Sequence, residues 1–211
     1  MNWRALIIGC GLLSLLAGCA SVGKRDLSTF YAYQPRAIII VPVVNETPEV
    51  NAPAVFITTI TVPLAERGYY VFPVYLTELL LRDLGLPEAG LVHQLPSQRF
   101  FDLFGADAVL FITIKDWSTK YLVLVSSVVV EMEYLLKDTR TGMVLWQSKQ
   151  QVARNSGGSN PIAMAVSAAL NALFTDYLPL ARQANIQVFR PPDGLPAGRY
   201  HPDHGKDRDR F

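Results

Sequence analysis

Cysteine is almost missing from this chain of 211 residues, which has only Cys10 and Cys19. Everything after Cys19 can therefore form neither a disulfide nor a thiolate metal site. Histidine is nearly as scarce, with His93, His201 and His204 alone. There is no Gly-x-Ser-x-Gly elbow and no His-Glu-x-x-His pair, so two common signatures of hydrolytic enzymes are absent. An excess of one charge is also lacking: 19 basic and 18 acidic residues leave a formal charge of +1. Such a balance gives no overall footprint for nucleic acid or anionic lipid head groups. Stability must come from an ordinary core. With 50% hydrophobic residues, the chain can build one in a domain of conventional size.

The amino terminus is where the sequence speaks most clearly. Met1-Asn2-Trp3-Arg4 carries one positive charge, and Ala5 to Leu16 is apolar except at Gly9, Cys10, Gly11 and Ser14. That run falls short of the roughly 20 residues a spanning helix needs. A basic start, a short apolar stretch and a small-residue exit describe a secretory signal peptide over 1–18. The exit, Leu16-Ala17-Gly18-Cys19, resembles the bacterial lipobox. The resemblance implies cleavage between Gly18 and Cys19, with lipid joined to Cys19 as a membrane anchor and no other cofactor. Each buried CH₂ contributes about 0.8 kcal/mol, and two or more acyl chains make anchoring stable. Ala20 and Ser21 follow where an Asp would signal retention, which implies the outer membrane, facing the periplasm. Loss of 1–18 removes Arg4 and no acid, leaving a neutral mature chain.

Beyond Cys19, residues 19–35 read as a tether, spanning at most roughly 50–60 Å if extended. Residues 36–190 read as an α/β domain. Ala37 to Val44 is a buried strand; Val55 to Arg67 is a helix, with an early turn or kink expected at Pro63. Tyr69 to Val74 is a strand and Leu76 to Leu84 a helix. Gly85 to Pro96 reads as a loop. Ser97 to Phe104 is a short helix stopped by Gly105. Ala108 to Ile114 and Tyr121 to Leu136 are strands, the second ending in an alternation that leaves Glu131 and Glu133 on a solvent face. Asp138 to Gly142 is a hairpin turn into a strand from Met143 to Ala153. A glycine-serine loop, Asn155 to Asn160, precedes a helix from Pro161 to about Gln183. The proline-, glycine- and charge-rich stretch 191–211 reads as a disordered tail. The order β-α-β-α-α-β-β-β-α describes a mixed-sheet α/β sandwich, parallel early and antiparallel late.

Four segments resemble a family of bacterial lipoproteins of unassigned function, the GNA1162 or DUF799 family. They are Arg36 to Pro53 (RAIIIVPVVNETPEVNAP), Pro63 to Val74 (PLAERGYYVFPV), Leu103 to Leu110 (LFGADAVL) and Leu136 to Trp146 (LKDTRTGMVLW). More loosely, the strand, the Gly-Ala-Asp turn and the Asp-Thr-Arg-Thr-Gly hairpin resemble the curli lipoprotein CsgG and the TolB amino-terminal domain. The resemblance implies a TolB N-terminal-like fold and a tethered module with envelope-protein partners, a CsgG-like lipoprotein among them, or copies of itself in a homo-oligomer. It implies no catalytic residues and no nucleic-acid partner.

Single residues have local readings as well. Asp107 suits a turn whose backbone amides it can accept. Trp146 suits the core. Asn45 and Glu46 sit at the carboxyl end of the first strand, where open α/β sheets place ligand or partner loops. His201, Asp203 and His204 in a solvated tail make a poor metal site. Three functions stand: an envelope assembly or export adaptor, a regulator of peptidoglycan synthesis, and a periplasmic hydrolase with an unrecognised site. The composition and the resemblance favour the adaptor.

Overall fold

The computed structural model describes residues 26–122, 125–155 and 176–211. Its elements are α1 (Ser28–Tyr33), β1 (Ala37–Ile40), β2 (Val44–Asn45), α2 (Ala52–Glu66), β3 (Tyr70–Val71), α3 (Val74–Asp83), α4 (Ala89–His93), α5 (Gln98–Phe104), β4 (Ala108–Leu122), β5 (Val125–Asp138), β6 (Val144–Asn155) and α6 (Leu178–Val188). The strands make one sheet ordered β3-β1-β4-β5-β6, with β2 paired to β4. β1 runs parallel to β3 and β4, and β4, β5 and β6 form an antiparallel meander. This is the expected mixed α/β arrangement, enlarged by α1, β2 and α4.

Alternation along the strands sets the two faces. Val128, Val130, Met132, Tyr134 and Leu136 of β5 point into the main core, with Phe56, Ile60 and Leu64 of α2 and Leu180, Ala184 and Val188 of α6. On the opposite face Ile39, Val41, Val109 and Phe111 lie under Leu81, Val92 and Phe100 from α3, α4 and α5. Each such large side chain contributes about 1.5–3 kcal/mol by leaving water. A buried polar chain ties the main layers together. The Tyr134 hydroxyl donates to Asn185 Oδ1 at 2.8 Å, and Asn185 Nδ2 donates to Thr59 Oγ1 at 2.8 Å.

Several expectations change. β4 runs past Ile114 to Leu122 because a bulge between Ile114 and Asp116 resets its alternation and returns Trp117 to the core. α4 occupies part of the expected loop. α2 continues through Pro63, whose missing N–H falls in the last turn while its ring is buried. Gly105 takes φ 68° and ends α5 as expected, and Gly142 takes φ 72° in the hairpin turn. Trp146 is buried, as its strand position suggested. Cys19, Gly18, most of the Asn155–Asn160 loop and the start of the Pro161 helix lie outside the described residues; the described helix, α6, ends at Val188.

Two corrections concern the ends. The second half of the expected tether belongs to the domain: α1 packs Phe30, and Leu27 before it, into the main core. The expected disordered tail is folded as well. Leu195, Ala197, Asp207 and Phe211 are buried. Gly198 N donates to the Arg67 carbonyl at 2.7 Å, Tyr200 N to Gly68 at 3.1 Å, and the Tyr69 hydroxyl to Pro196. Asp207 Oδ2 accepts from Ala197 N at 2.7 Å and from Arg67 Nη2 at 3.2 Å. Bulk composition misled here, because a few buried groups with satisfied hydrogen bonds outweigh many exposed charged ones.

Candidate functional site: an uncovered sheet face

On their face, helices α3, α4 and α5 cover β1 and the first part of β4 as far as Phe111. Beyond Phe111 on β4, and across the neighbouring parts of β5 and β6, that face stays open, and its inward–outward alternation brings Lys115, Glu131, Glu133 and Lys149 into one row. The row begins directly after β2. Glu46 Oε2 accepts from Lys115 Nζ at 2.7 Å. Lys115 lies 3.5 Å from Glu133, which lies 3.6 Å from Lys149, which lies 2.7 Å from Glu131. Gln151 Nε2 closes the row on Glu131 at 2.9 Å. The hydrogen bond from Lys115 to Glu46, and that from Lys149 to Glu131, hold both ammonium groups above the ordinary lysine range. Both sit in solvent, so these pairs contribute little to stability.

A cleft of about 490 Å³ opens beside the row, lined by His93, Phe111, Glu133, Lys137, Gln147 and Lys149 among others. His93 comes from the end of α4. Its Nε2 is 2.9 Å from the Pro42 carbonyl and its ring packs edge-on to Phe111 at 5.0 Å. Burial pushes the imidazole below its ordinary value, opposed by the bond to Pro42. With Nε2 committed to a carbonyl and Glu133 shared by two lysines, the arrangement is suited to recognising polar groups and poorly suited to moving protons. Among the described residues no group of three His, Cys, Asp or Glu could hold a metal ion. No described helix is long and apolar enough to cross a membrane.

The two loop residues singled out from sequence therefore separate. Asn45 builds the turn: its Nδ2 donates to the Glu49 carbonyl at 2.8 Å, and its Oδ1 accepts from the Thr47 amide and hydroxyl at 3.1 and 2.8 Å. Glu46 reaches outward and joins the row. Glu131 and Glu133 lie on the solvent face as expected. Lys115 and Lys149 were missed; both follow from the strand period of two, Lys115 after Phe111 and Thr113 once β4 is extended past Ile114, and Lys149 opposite Glu133. Asp107 sits in a turn as expected, but the amides its carboxylate accepts are those at the start of β1, Arg36 N at 3.1 Å and Ala37 N at 3.2 Å, and not those of its own turn.

An α/β domain with part of one sheet face open and lined by paired charges is the class that the geometry defines. The family model described as "Putative lipoprotein GNA1162-like" matches residues 25–186, and the chain belongs to that family. The family has no known catalytic role. The chain is 33% identical over 175 residues to "Putative lipoprotein NMB1124/NMB1162" of Neisseria meningitidis serogroup B, covering 81% of each. It resembles the crystal structure of lipoprotein GNA1162 from Neisseria meningitidis with TM-score 0.56 and 33% identity, over 67% of this chain and 100% of that one. A PelC dodecamer structure from Paraburkholderia phytofirmans is more distant, with TM-score 0.49 and 15% identity over 74% of this chain and 87% of that one.

Proposed function

We propose that the mature chain is a lipid-anchored adaptor in envelope assembly or export. It is cleaved between Gly18 and Cys19, acylated on Cys19 and held at the outer membrane facing the periplasm. It works through protein contacts, with a CsgG-like lipoprotein or further copies of itself as partners. The observation that carries this reading is the open sheet face with its row of Glu46, Lys115, Glu133, Lys149 and Glu131. Self-paired charges keep such a surface soluble alone, and their exposed edges suit a polar, exchangeable contact.

The reach of the anchor supports an outer-membrane partner over a distant one. Residues 20–26 separate Cys19 from Leu27, the first described residue packed into the core. That span reaches about 25–30 Å at most when fully extended. An inner-membrane synthase beyond the wall, as the peptidoglycan reading requires, asks for a longer arm.

Two experiments test the proposal. Metabolic labelling with a palmitate analogue should mark the wild-type chain and not Cys19→Ser. Photo-crosslinkers placed in cells at Gln147 and Gln151 should trap an outer-membrane envelope protein, while one at Gln183 on α6 should not. Adducts formed only with a peptidoglycan synthase would replace the adaptor reading with the regulator. No adduct at either face position would end it.

A further inference from the structure

At the end of the sheet away from Asn45 and Glu46, a second cleft of about 650 Å³ lies between α1, the β5–β6 turn and the carboxyl-terminal segment. Arg36, Arg140 and Arg199 line it, together with Asp107, Asp138 and His204. Its two acids are already committed. Asp107 Oδ2 accepts the amides of Arg36 and Ala37, and its Oδ1 lies 3.4 Å from Arg140 Nη1. Asp138 is buried and its Oδ1 accepts the Thr141 amide at 2.7 Å and hydroxyl at 2.8 Å. Arg140 is held in place by Asp107 and by the Phe101 ring, 4.2 Å beneath its guanidinium carbon. The guanidinium groups of Arg36 and Arg199, by contrast, have no ion pair or hydrogen bond among the described residues. The cleft thus sets three guanidinium groups against two carboxylates that are already hydrogen-bonded, an excess of one positive charge.

We infer that this cleft binds a phosphate-class anion, with Arg36 and Arg199 as the gripping residues and Arg140 as a fixed third cation. The planar guanidinium fork matches a phosphate's oxygens in paired hydrogen bonds, each charge-assisted and about twice the strength of a neutral one. A concave site also concentrates the field of its cations and raises the local anion concentration. The same chemistry fits a lipid head group or a free phosphate compound. The inference stands on the cleft and does not depend on the adaptor reading.

The test uses the full acylated protein in nanodiscs, followed by amide hydrogen exchange of residues 139–143 and 198–204. One arm adds inorganic pyrophosphate to phosphatidylcholine discs. The other replaces part of the phosphatidylcholine with phosphatidylglycerol and adds no soluble anion. Slower exchange in either arm is expected, and the arm that responds names the source. Arg36→Gln with Arg199→Gln should weaken the effect at least ~10-fold in anion concentration. Arg182→Gln with Arg190→Gln, which removes equal charge from exposed positions on and after α6, should leave it intact. Unchanged exchange in both arms overturns the inference, as does protection that survives in R36Q/R199Q. All four positions are exposed, and matching melting curves confirm that the variants fold.

Discussion

Asp207→Ala should release the carboxyl-terminal segment from the domain. Asp207 is the pin of that segment: its side chain is 3% exposed, and its partner Arg67 is 17% exposed. Removing one member of a buried pair costs about 3–5 kcal/mol. Two features lower the figure here. Arg67 keeps a second acceptor, the Leu195 carbonyl, 3.0 Å from its Nε, and still reaches solvent. Asp207 Oδ1 is buried without a partner, which already tempers the native arrangement. A loss of about 2–3 kcal/mol follows. At about 2–4 °C per kcal/mol for a domain of this size, the melting temperature should fall by about 4–12 °C. Asp207→Asn keeps an oxygen for the Ala197 amide and should fall by less. Trypsin supplies a local readout, because Lys206, Arg208 and Arg210 are exposed side chains on a segment whose backbone is pinned. In D207A, cleavage there should precede cleavage elsewhere. A variant that melts within about 1 °C of wild type and keeps its protease pattern would refute the pinning role.

The remaining predictions address the core and its titration. Tyr134→Phe strands the Asn185 oxygen and Asn185→Ala strands the Tyr134 hydroxyl, each costing about 1–3 kcal/mol in denaturant unfolding. Both singles break the Tyr134–Asn185 bond, and Asn185→Ala also loses the bond to Thr59, so the double variant should fall short of their sum by about 1 kcal/mol for the shared bond; additivity would refute the chain of bonds. His93 sits below its ordinary value of 6.5, so the folded state loses its proton more readily than the unfolded state. Its contribution is therefore complete above that pH and is lost as pH falls toward the folded value, a slope that His93→Gln should flatten in unfolding curves taken across mildly acidic pH. Gly198→Ala drives a methyl group into the Gly68 carbonyl and Tyr69 ring, and should cost about 1–3 kcal/mol in thermal unfolding.

Much of this fold is legible because its signals are local and periodic. The apolar run at β1, the glycine stops after α2 and α5, and the turn before β6 each declare themselves within a few residues. The face carrying Glu131 and Glu133 was readable from alternation alone. What escaped depends on contacts distant in sequence. The bulge at Ile114 to Asp116 hid the continuation of β4 and the return of Trp117 to the core, and a strand ended at Ile114 left Lys115 out. The carboxyl-terminal segment reads as polar in any window, and only Arg67 and Tyr69, far up the chain, reveal its buried groups. α1 is a single short turn of helix that would be marginal alone; Phe30 makes it part of the domain by packing into a core built from later strands.

Nearly equal totals of acid and base conceal a molecule with two different polar surfaces. On the open sheet face Lys115 and Lys149 are each matched by neighbouring glutamates, so any partner that buries the row must desolvate paired charges and return good polar contacts. Such desolvation often offsets the attraction regained. That favours a partner surface with its own donors and acceptors over an apolar one. At the other end the balance is reversed: among the described residues Arg36 and Arg199 have no ion pair, while Asp107 and Asp138 are hydrogen-bonded to backbone and turn. An anion entering there meets guanidinium groups with no described partner to give up, and its binding is opposed by lost hydration and by the charge that the two carboxylates keep. One chain with almost no net charge can thus hold a surface that discriminates among polar proteins and a cleft that attracts anions, because placement rather than total charge sets the local field.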